Sequence, residues 1–147
     1  MKRNYVIIDI DNVISNTAWR EPLIAAKGWD EFHSQAVNDD PVHAMKQFLY
    51  GIQLAKFKTI LCTGRPEKYR QDTMSWLLRH SVWLDELLMR PNDDFRKSPE
   101  MKVSLIKARF KEPSEEVAFI VDDRLDIIEA FSAIGIPGFQ AFVVNVR

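Results

Sequence analysis

The chain alternates short, uninterrupted apolar runs with longer segments in which apolar and polar positions follow helical spacing. The first run, Tyr5 to Ile10, is rich in β-branched residues and is typical of a strand buried on both faces of a parallel sheet. The same pattern predicts later strands at residues 58–63, 87–90, 117–121 and 142–146.

The segments between these runs predict helices. Asp40 followed by Pro41 combines an N-cap acid with proline at the first helical position, so a helix is expected to begin there. Residues 12–40 show only a weak helical pattern around residues 22–26, and we interpret them as an irregular insertion. Further helices are predicted over residues 67–80, 98–110 and 124–134.

Because strands and helices alternate, the sequence predicts one α/β domain over residues 1–147, with a mainly parallel central sheet and helices on both faces. A length of 147 residues suits a single domain. The formal net charge of -1 argues against wholesale electrostatic binding to nucleic acid, although a local basic patch could still hold a phosphate.

The number of cysteines and the length of the apolar runs indicate the cellular compartment in which the protein is expected. Cys62 is the single cysteine and lies in an apolar run, so we expect a buried thiol, no internal disulfide and a reducing, cytoplasmic location. No apolar run approaches the roughly 20 residues of a membrane-spanning helix, so no membrane association is expected.

Polar side chains collect where the predicted strands end. In open α/β sheets, ligands bind beyond the carboxyl ends of the strands, so these side chains are expected to converge on one rim. Lys102, on the helix after the third strand, can reach the same rim. The strand-end residues are Asp9 and Asp11, then Thr63, Gly64 and Arg65, then Asp122 and Asp123.

Four carboxylates so close together repel one another unless a cation neutralises them, and Mg²⁺ with oxygen ligands is the usual solution. We therefore predict a magnesium site, with Asp122 favoured over Asp123 as the direct ligand. Since Mg²⁺ commonly binds substrate phosphate, Thr63, the Gly64 N–H and Lys102 are predicted to hold phosphate oxygens. The predicted metal ligands are Asp9, Asp11, Asp122 and Asp123.

The spacing of Asp9 and Asp11 suggests a division of roles. Residues i and i+2 of a strand point to the same face, so both carboxylates can reach one substrate. Asp9 is predicted to attack phosphorus and form an aspartyl-phosphate. Asp11 is predicted to protonate the leaving oxygen and later to activate water.

These motifs, in this order, resemble the four motifs of the haloacid dehalogenase (HAD) superfamily of phosphatases. The resemblance implies a HAD-like Rossmannoid three-layer fold and a Mg²⁺-dependent phosphomonoesterase with Asp9 as nucleophile. More specifically, the chain resembles the 3′-phosphatase domain of bacteriophage-type polynucleotide kinase, which implies a substrate contact for Arg20. The stretches that carry this second resemblance are Arg20, eleven residues after Asp9, residues 89–102 and residues 120–124.

The chain departs from the family pattern in two ways. Asn12 and Val13 stand where the family usually has Gly-Thr. No Gly-x-x-x-x-Gly-Lys-Ser/Thr loop is present, so no kinase domain is expected in this chain. The segment between the first two motifs is too short for a large cap, so residues 12–40 are expected to form a small insertion or flap beside an open site.

The expected activity is removal of a 3′-phosphate from nucleic-acid ends or nucleotides. Two alternatives stay open: a 5′-nucleotidase acting on nucleoside monophosphates, and a non-catalytic phosphate-binding module of the same fold. Arg65 either binds substrate or pairs with an acid. Trp19 and Trp29 either pack the insertion or stack on a base, whereas Trp76 and Trp83 are interpreted as packing residues. The sequence leaves the exact substrate and the oligomeric state undetermined.

Overall fold

The computed structural model describes residues 2–141 and has a five-stranded sheet at its centre. The sheet order is β5-β4-β1-β6-β7, and every neighbouring pair is parallel, which confirms the predicted α/β class. In chain order the strands are β1 (Tyr5–Ile8), β2 (Ser15–Asn16), β3 (Asp40–Pro41), β4 (Lys58–Pro66), β5 (Glu86–Arg90), β6 (Val117–Asp122) and β7 (Gly138–Gln140).

Helices cover both faces of the sheet. In chain order they are α1 (Pro22–Lys27), α2 (Trp29–Ser34), α3 (His43–Leu54), α4 (Arg70–Arg79), α5 (Ser98–Arg109), α6 (Pro113–Glu116) and α7 (Leu125–Ser132). Alternate residues of β1 point to opposite faces. Val6 and Ile8 join a core with α3 and α4, whereas Ile7 joins a second core with α5 and α7. The molecule therefore has three layers.

The chain order places a crevice at the end of β1. From β1 the chain builds β4 and β5 on one side, then crosses to β6 and β7 on the other. Ligands of open parallel sheets bind where the strand order reverses in this way, beyond the carboxyl ends of the strands. The residues that follow β1 therefore lie at the expected binding position.

The predicted helix start at Asp40 is wrong. Asp40 and Pro41 form β3, which pairs antiparallel with β2, and helix α3 begins at His43 instead. The Val42 N–H donates to the Ile14 carbonyl at 2.7 Å, which holds this segment extended. A pairing with residues far back in the chain therefore overrides the local capping signal.

The insertion, residues 12–40, is not irregular. Besides α1 and α2 it contains 3₁₀ helices at Ala18–Arg20 and Gln35–Asn38. Each of these helices has six residues or fewer, too short to be stable alone, so tertiary contacts must hold them. That is why their hydrophobic periodicity is weak.

The structure differs from the sequence predictions at two further places, Trp83 and strand β7. Trp76 is buried as predicted, but Trp83 is 67% exposed. The sequence pattern does not predict strand β7, which pairs with β6; a Cβ at Gly138 would lie 2.9 Å from Ile128 of α7, so glycine permits the close approach of this strand to that helix. The strand predicted at 142–146 lies outside the described residues. Across residues 2–141, no helix has the length and apolarity to cross a membrane.

Candidate active site

Three side chains from separate elements meet beyond the carboxyl end of β1. Asp9 directly follows β1, and its N–H donates to the Val121 carbonyl of β6 at 3.0 Å. Asp122 ends β6. Lys102 of α5 donates from Nζ to Asp9 Oδ1 at 2.9 Å and to Asp122 Oδ2 at 2.7 Å. All three side chains are nearly inaccessible to solvent, so the lysine is a buried counter-charge for two carboxylates.

Asp9, Asp122 and Asp123 form a carboxylate cluster. One oxygen of each lies within 4.8 Å of an oxygen of the others. Carboxylate oxygens are the hard ligands that Mg²⁺ takes, so the donor set fits this ion. Asp123 lines the cavity described below, while Asp122 is buried beneath it.

The pKa values of Asp9 and Asp123 are both raised. Burial raises the pKa of Asp9 well above its usual range, and the charges of Asp122 and Asp11 raise it further against the opposing effect of Lys102. Burial and the neighbouring Asp122 raise the pKa of Asp123 to about 6. A divalent cation would favour the ionised forms of both.

Asp11 lies outside the carboxylate cluster of Asp9, Asp122 and Asp123, and its role as a metal ligand stays a prediction. Arg20 Nη2 and Arg65 Nη2 each donate to Asp11 Oδ1 at 2.7 Å. Burial alone would raise the pKa of Asp11, but the guanidinium groups of Arg65 and Arg20 hold it well below its usual range. Two buried cations therefore fix Asp11 as a carboxylate.

Arg20 and Arg65 are at most 1% exposed and do not line the cavity. Arg20 also donates to the Phe32 carbonyl at 2.9 Å, and Arg65 Nη1 donates to Thr73 Oγ1 at 3.3 Å. The structure thus gives both arginines a contact with Asp11, and their contact with substrate stays a prediction. For Arg65, this is the pairing with an acid that the sequence left open.

Asp39 is the site residue that sequence reasoning missed. Its buried carboxylate accepts hydrogen bonds from Arg20 Nε at 2.9 Å, from Trp19 Nε1 at 2.8 Å and from Thr17 Oγ1 at 3.3 Å. Arg20 Nη2 donates to both carboxylates, to Asp39 Oδ2 at 2.9 Å and to Asp11 Oδ1 at 2.7 Å, so Asp39 and Asp11 hold Arg20 together. No motif marks Asp39, and an acid near the end of a polar stretch carries no signal of burial.

The predicted phosphate ligands on β4 differ in accessibility. Thr63 is fully buried, and its Oγ1 accepts the Arg65 N–H at 3.1 Å. Gly64 lines the cavity, and its carbonyl accepts a hydrogen bond from Arg90 Nε at 3.1 Å. Cys62, on the same strand, is buried, and burial raises its thiol pKa to about 12, so it is not a nucleophile at neutral pH.

A cavity of about 1010 Å³ opens above Asp9. One wall is the insertion, including Trp29 and His33. The lining also includes Arg124 and five residues of the rim loop, which we define as residues 91–97: Asn92, Asp94, Phe95, Arg96 and Lys97. Trp19 does not line the cavity; its hydrogen bond to Asp39 makes it a packing residue of the insertion, whereas Trp29 faces the cavity and stacks on His33.

Comparison with known proteins agrees with this geometry. A family model described as the polynucleotide kinase PNKP phosphatase domain matches residues 3–145. No curated protein gives a significant match.

Among solved structures, a chain in the Pnkp1/Rnl/Hen1 complex shares 28% identity with a TM-score of 0.81, over 95% of this chain. A chain in a second structure, that of the Pnkp1/Rnl/Hen1 RNA repair complex, shares 28% identity with a TM-score of 0.80, over 93% of this chain. This chain spans 46% and 42% of those two chains, less than half their length.

More distant structures share the fold. A hydrolase from Streptococcus pneumoniae TIGR4 has 16% identity and a TM-score of 0.65, with 98% of this chain and 95% of that chain covered. The magnesium-bound HAD-hydrolase YfnB from Bacillus subtilis has 10% identity and a TM-score of 0.68, with 94% and 86% covered. The predicted HAD-like fold is therefore confirmed.

Proposed function

The chain belongs to the polynucleotide kinase PNKP phosphatase domain family, a group of HAD phosphatases, and from this premise we propose that it removes the 3′-phosphate from nucleic-acid ends or nucleotides. The proposal includes Mg²⁺ as cofactor and an aspartyl-phosphate on Asp9. The observation that carries it is the buried contact between Asp9 and Lys102 at the base of an open cavity, beside two further carboxylates.

Asp9, Asp122 and Asp123 would hold the Mg²⁺ ion. When bound, it would neutralise the clustered charge and polarise a phosphate oxygen. Lys102 holds Asp9 in place and adds a fixed positive charge beneath the phosphoryl group.

In the first step, an oxygen of Asp9 forms a bond to phosphorus while the bond from phosphorus to the leaving oxygen breaks. The leaving oxygen takes a proton from Asp11 and departs as an alcohol. In the second step, water attacks the phosphorus of the aspartyl-phosphate and gives a proton to Asp11. The bond between phosphorus and Asp9 then breaks, which releases inorganic phosphate and restores both carboxyl groups.

The arginine contacts bias Asp11 between these two roles. Because Arg65 and Arg20 lower its pKa, Asp11 is ionised at neutral pH and is available to take the proton from water, whereas the protonated form that donates to the leaving oxygen is rarely populated. The first step needs Asp11 in its protonated form, so the strength of the arginine contacts controls how often that form is present.

The substrate proposal rests on the family and on the open cavity. One solved relative belongs to an RNA repair complex, which supports RNA ends as substrates, and we include DNA ends because the family description refers to polynucleotides in general. A cavity of about 1010 Å³ lies at the upper end of the range of roughly 300–1,000 Å³ for small-molecule pockets, which leaves room for more than a phosphate group.

The test is phosphate release from a substrate panel with and without Mg²⁺. We expect turnover of 3′-phosphorylated oligonucleotides and 3′-mononucleotides, and none of 5′-mononucleotides. Asp9→Asn should abolish turnover, while Asp126→Asn, which changes an exposed acid outside the cavity, should retain it. A preference for 5′-mononucleotides would replace the proposal with a nucleotidase, and an active Asp9→Asn protein would remove the nucleophile assignment.

A further inference from the structure

The rim loop presents an unusually exposed aromatic ring to the catalytic cavity. Phe95 lines that cavity and is 91% exposed, the highest value among the large hydrophobic side chains of residues 2–141. An apolar ring held in water has no stabilising role in the folded chain. Its position in the cavity wall is therefore better explained by contact with a ligand.

The exposure of Phe95 is not a consequence of a loose loop. Arg90 Nη1 donates to the carbonyls of Asp94 at 3.1 Å and Arg96 at 2.6 Å, on either side of Phe95. Arg90 Nε also donates to the Gly64 carbonyl at 3.1 Å. One arginine thus ties both flanks of Phe95 to the strand that carries the candidate phosphate site, so the ring is pre-organised.

Both faces of the Phe95 ring are available. No aromatic ring of residues 2–141 packs against it, whereas Trp29, which lines the same cavity, already stacks on His33 with centroids 5.8 Å apart. Trp29 also meets Phe32 edge-on at 5.6 Å. Phe95 is therefore the better site for a planar ligand to stack on.

Lys97, two residues further along the rim loop, supplies an available cation. It is exposed, lines the same cavity and makes no ion pair with any residue from 2 to 141. In contrast, Arg96 pairs with Asp94 at 2.7 Å and Arg124 pairs with Asp126 at 2.6 Å. An exposed ring beside an unpaired cation is the combination that binds single-stranded nucleic acid, because every base has a stacking face and every linkage a charge.

We propose that Phe95 stacks on a base, and Lys97 contacts a backbone phosphate, of the strand that leads to the phosphorylated 3′ end. The preferred substrate is then a strand of several nucleotides rather than a mononucleotide. This inference rests on the proposed function, since it uses the same cavity and the same reacting phosphate.

The experiment compares KM for 3′-phosphorylated mononucleotide and tetranucleotide, in both ribose and deoxyribose forms. For the native chain, KM should be lower for the tetranucleotide. Phe95→Ala should raise the ratio of tetranucleotide to mononucleotide KM about five- to a hundredfold, the usual effect of losing one base–aromatic contact. Phe95→Tyr, which keeps the ring, should retain the native ratio.

Tyr50→Ala is the matched control, since Tyr50 is a 61% exposed aromatic residue that does not line this cavity. It should leave the ratio unchanged. Lys97→Gln should reduce the slope of log affinity against log salt by about 0.7, the value for one phosphate contact on a single strand. An unaltered KM ratio in Phe95→Ala, or native KM values that do not depend on length, would overturn the stacking proposal.

A direct binding measurement separates the two proposals. If the native chain releases no phosphate from any 3′-phosphorylated substrate, the proposed activity fails. Fluorescence anisotropy with a labelled 3′-phosphorylated tetranucleotide then tests Phe95 independently. Weaker binding by Phe95→Ala than by Tyr50→Ala, by a similar fold-change, supports the stacking site, and equal binding by both refutes it.

Discussion

Asp39 pairs with Arg20 inside the insertion and so joins its two ends through charge, and its replacement by asparagine tests that arrangement. Asp39→Asn keeps the shape of the side chain but removes its negative charge. The Arg20 guanidinium, which lies 2.9 Å from Asp39, would then keep Asp11 as its one close counter-charge among the described residues. Both members of the Arg20–Asp39 pair have fully buried side chains, so solvent cannot screen the loss.

The expected cost follows from this burial. Removing one partner of a buried ion pair typically costs about 3–5 kcal/mol, because an uncompensated charge is left in the interior. Arg20 keeps its 2.7 Å contact with Asp11, so we place Asp39→Asn at the lower end, about 3 kcal/mol. For a chain of this size, that corresponds to a fall in Tm of about 6–12 °C.

Urea unfolding, followed by Trp fluorescence and by far-ultraviolet circular dichroism, measures this cost as a change in the free energy of unfolding. Coincident transitions from the two probes would justify a two-state treatment. The matched control is Glu67→Gln, the same chemical change in an exposed pair with Arg70, whose side chains are 39% and 42% exposed. Exposed pairs contribute about 0–1 kcal/mol, so this variant should be nearly as stable as the native chain.

The reasoning is refuted if Asp39→Asn and Glu67→Gln destabilise the chain equally, or if Asp39→Asn costs less than about 1 kcal/mol. Either result would mean that the insertion is held by its apolar contacts and that the Arg20–Asp39 pair adds nothing to stability.

Three further predictions concern the site. Lys102→Met should abolish turnover and cost about 3 kcal/mol at neutral pH, because Asp9 and Asp122 lose their buried cation. The loss of stability should be smaller in acid, where Asp9 and Asp122 take up protons and no longer need a cation. A Lys102→Met protein as stable as the native chain at pH 7 would contradict this prediction. Chelation with EDTA should stop phosphate release and added Mg²⁺ should restore it, so turnover that survives chelation would argue against metal dependence. Since Arg65 holds the pKa of Asp11 below its ordinary value of about 3.9, the stability that Asp11 contributes is present above that value and is lost as the pH falls towards the lowered pKa. The stability difference between the native chain and Asp11→Asn should therefore be constant at neutral pH and narrow as the pH falls below about 4, and a difference that does not change in acid would contradict the assignment.

The strands and the residues at their ends could be predicted from the sequence. A run such as Tyr5–Ile8 forms a central strand because its side chains can only be buried on both faces of a sheet. The carboxyl ends of parallel strands lie at one edge of the sheet whatever the conformation of the connecting loops. Asp9 and Asp122, which follow or end two such strands, are therefore expected to lie near each other. Lys102 follows from the same topology, since α5 packs against that sheet.

The partners of Asp11 could not be predicted in this way. The sequence predicts Asp11 as a metal ligand and Arg20 as a substrate contact, and it gives no sign that Arg20 pairs with both Asp11 and Asp39 in the fold. These contacts depend on how residues 12–40 fold back over the end of β1, and those residues form helices too short to leave a periodic pattern. The sequence determines which side chains are charged, but the tertiary structure determines which opposite charge each one pairs with. The physical reason is that a buried charge is stable only when it is paired, and the fold decides which opposite charge lies within reach.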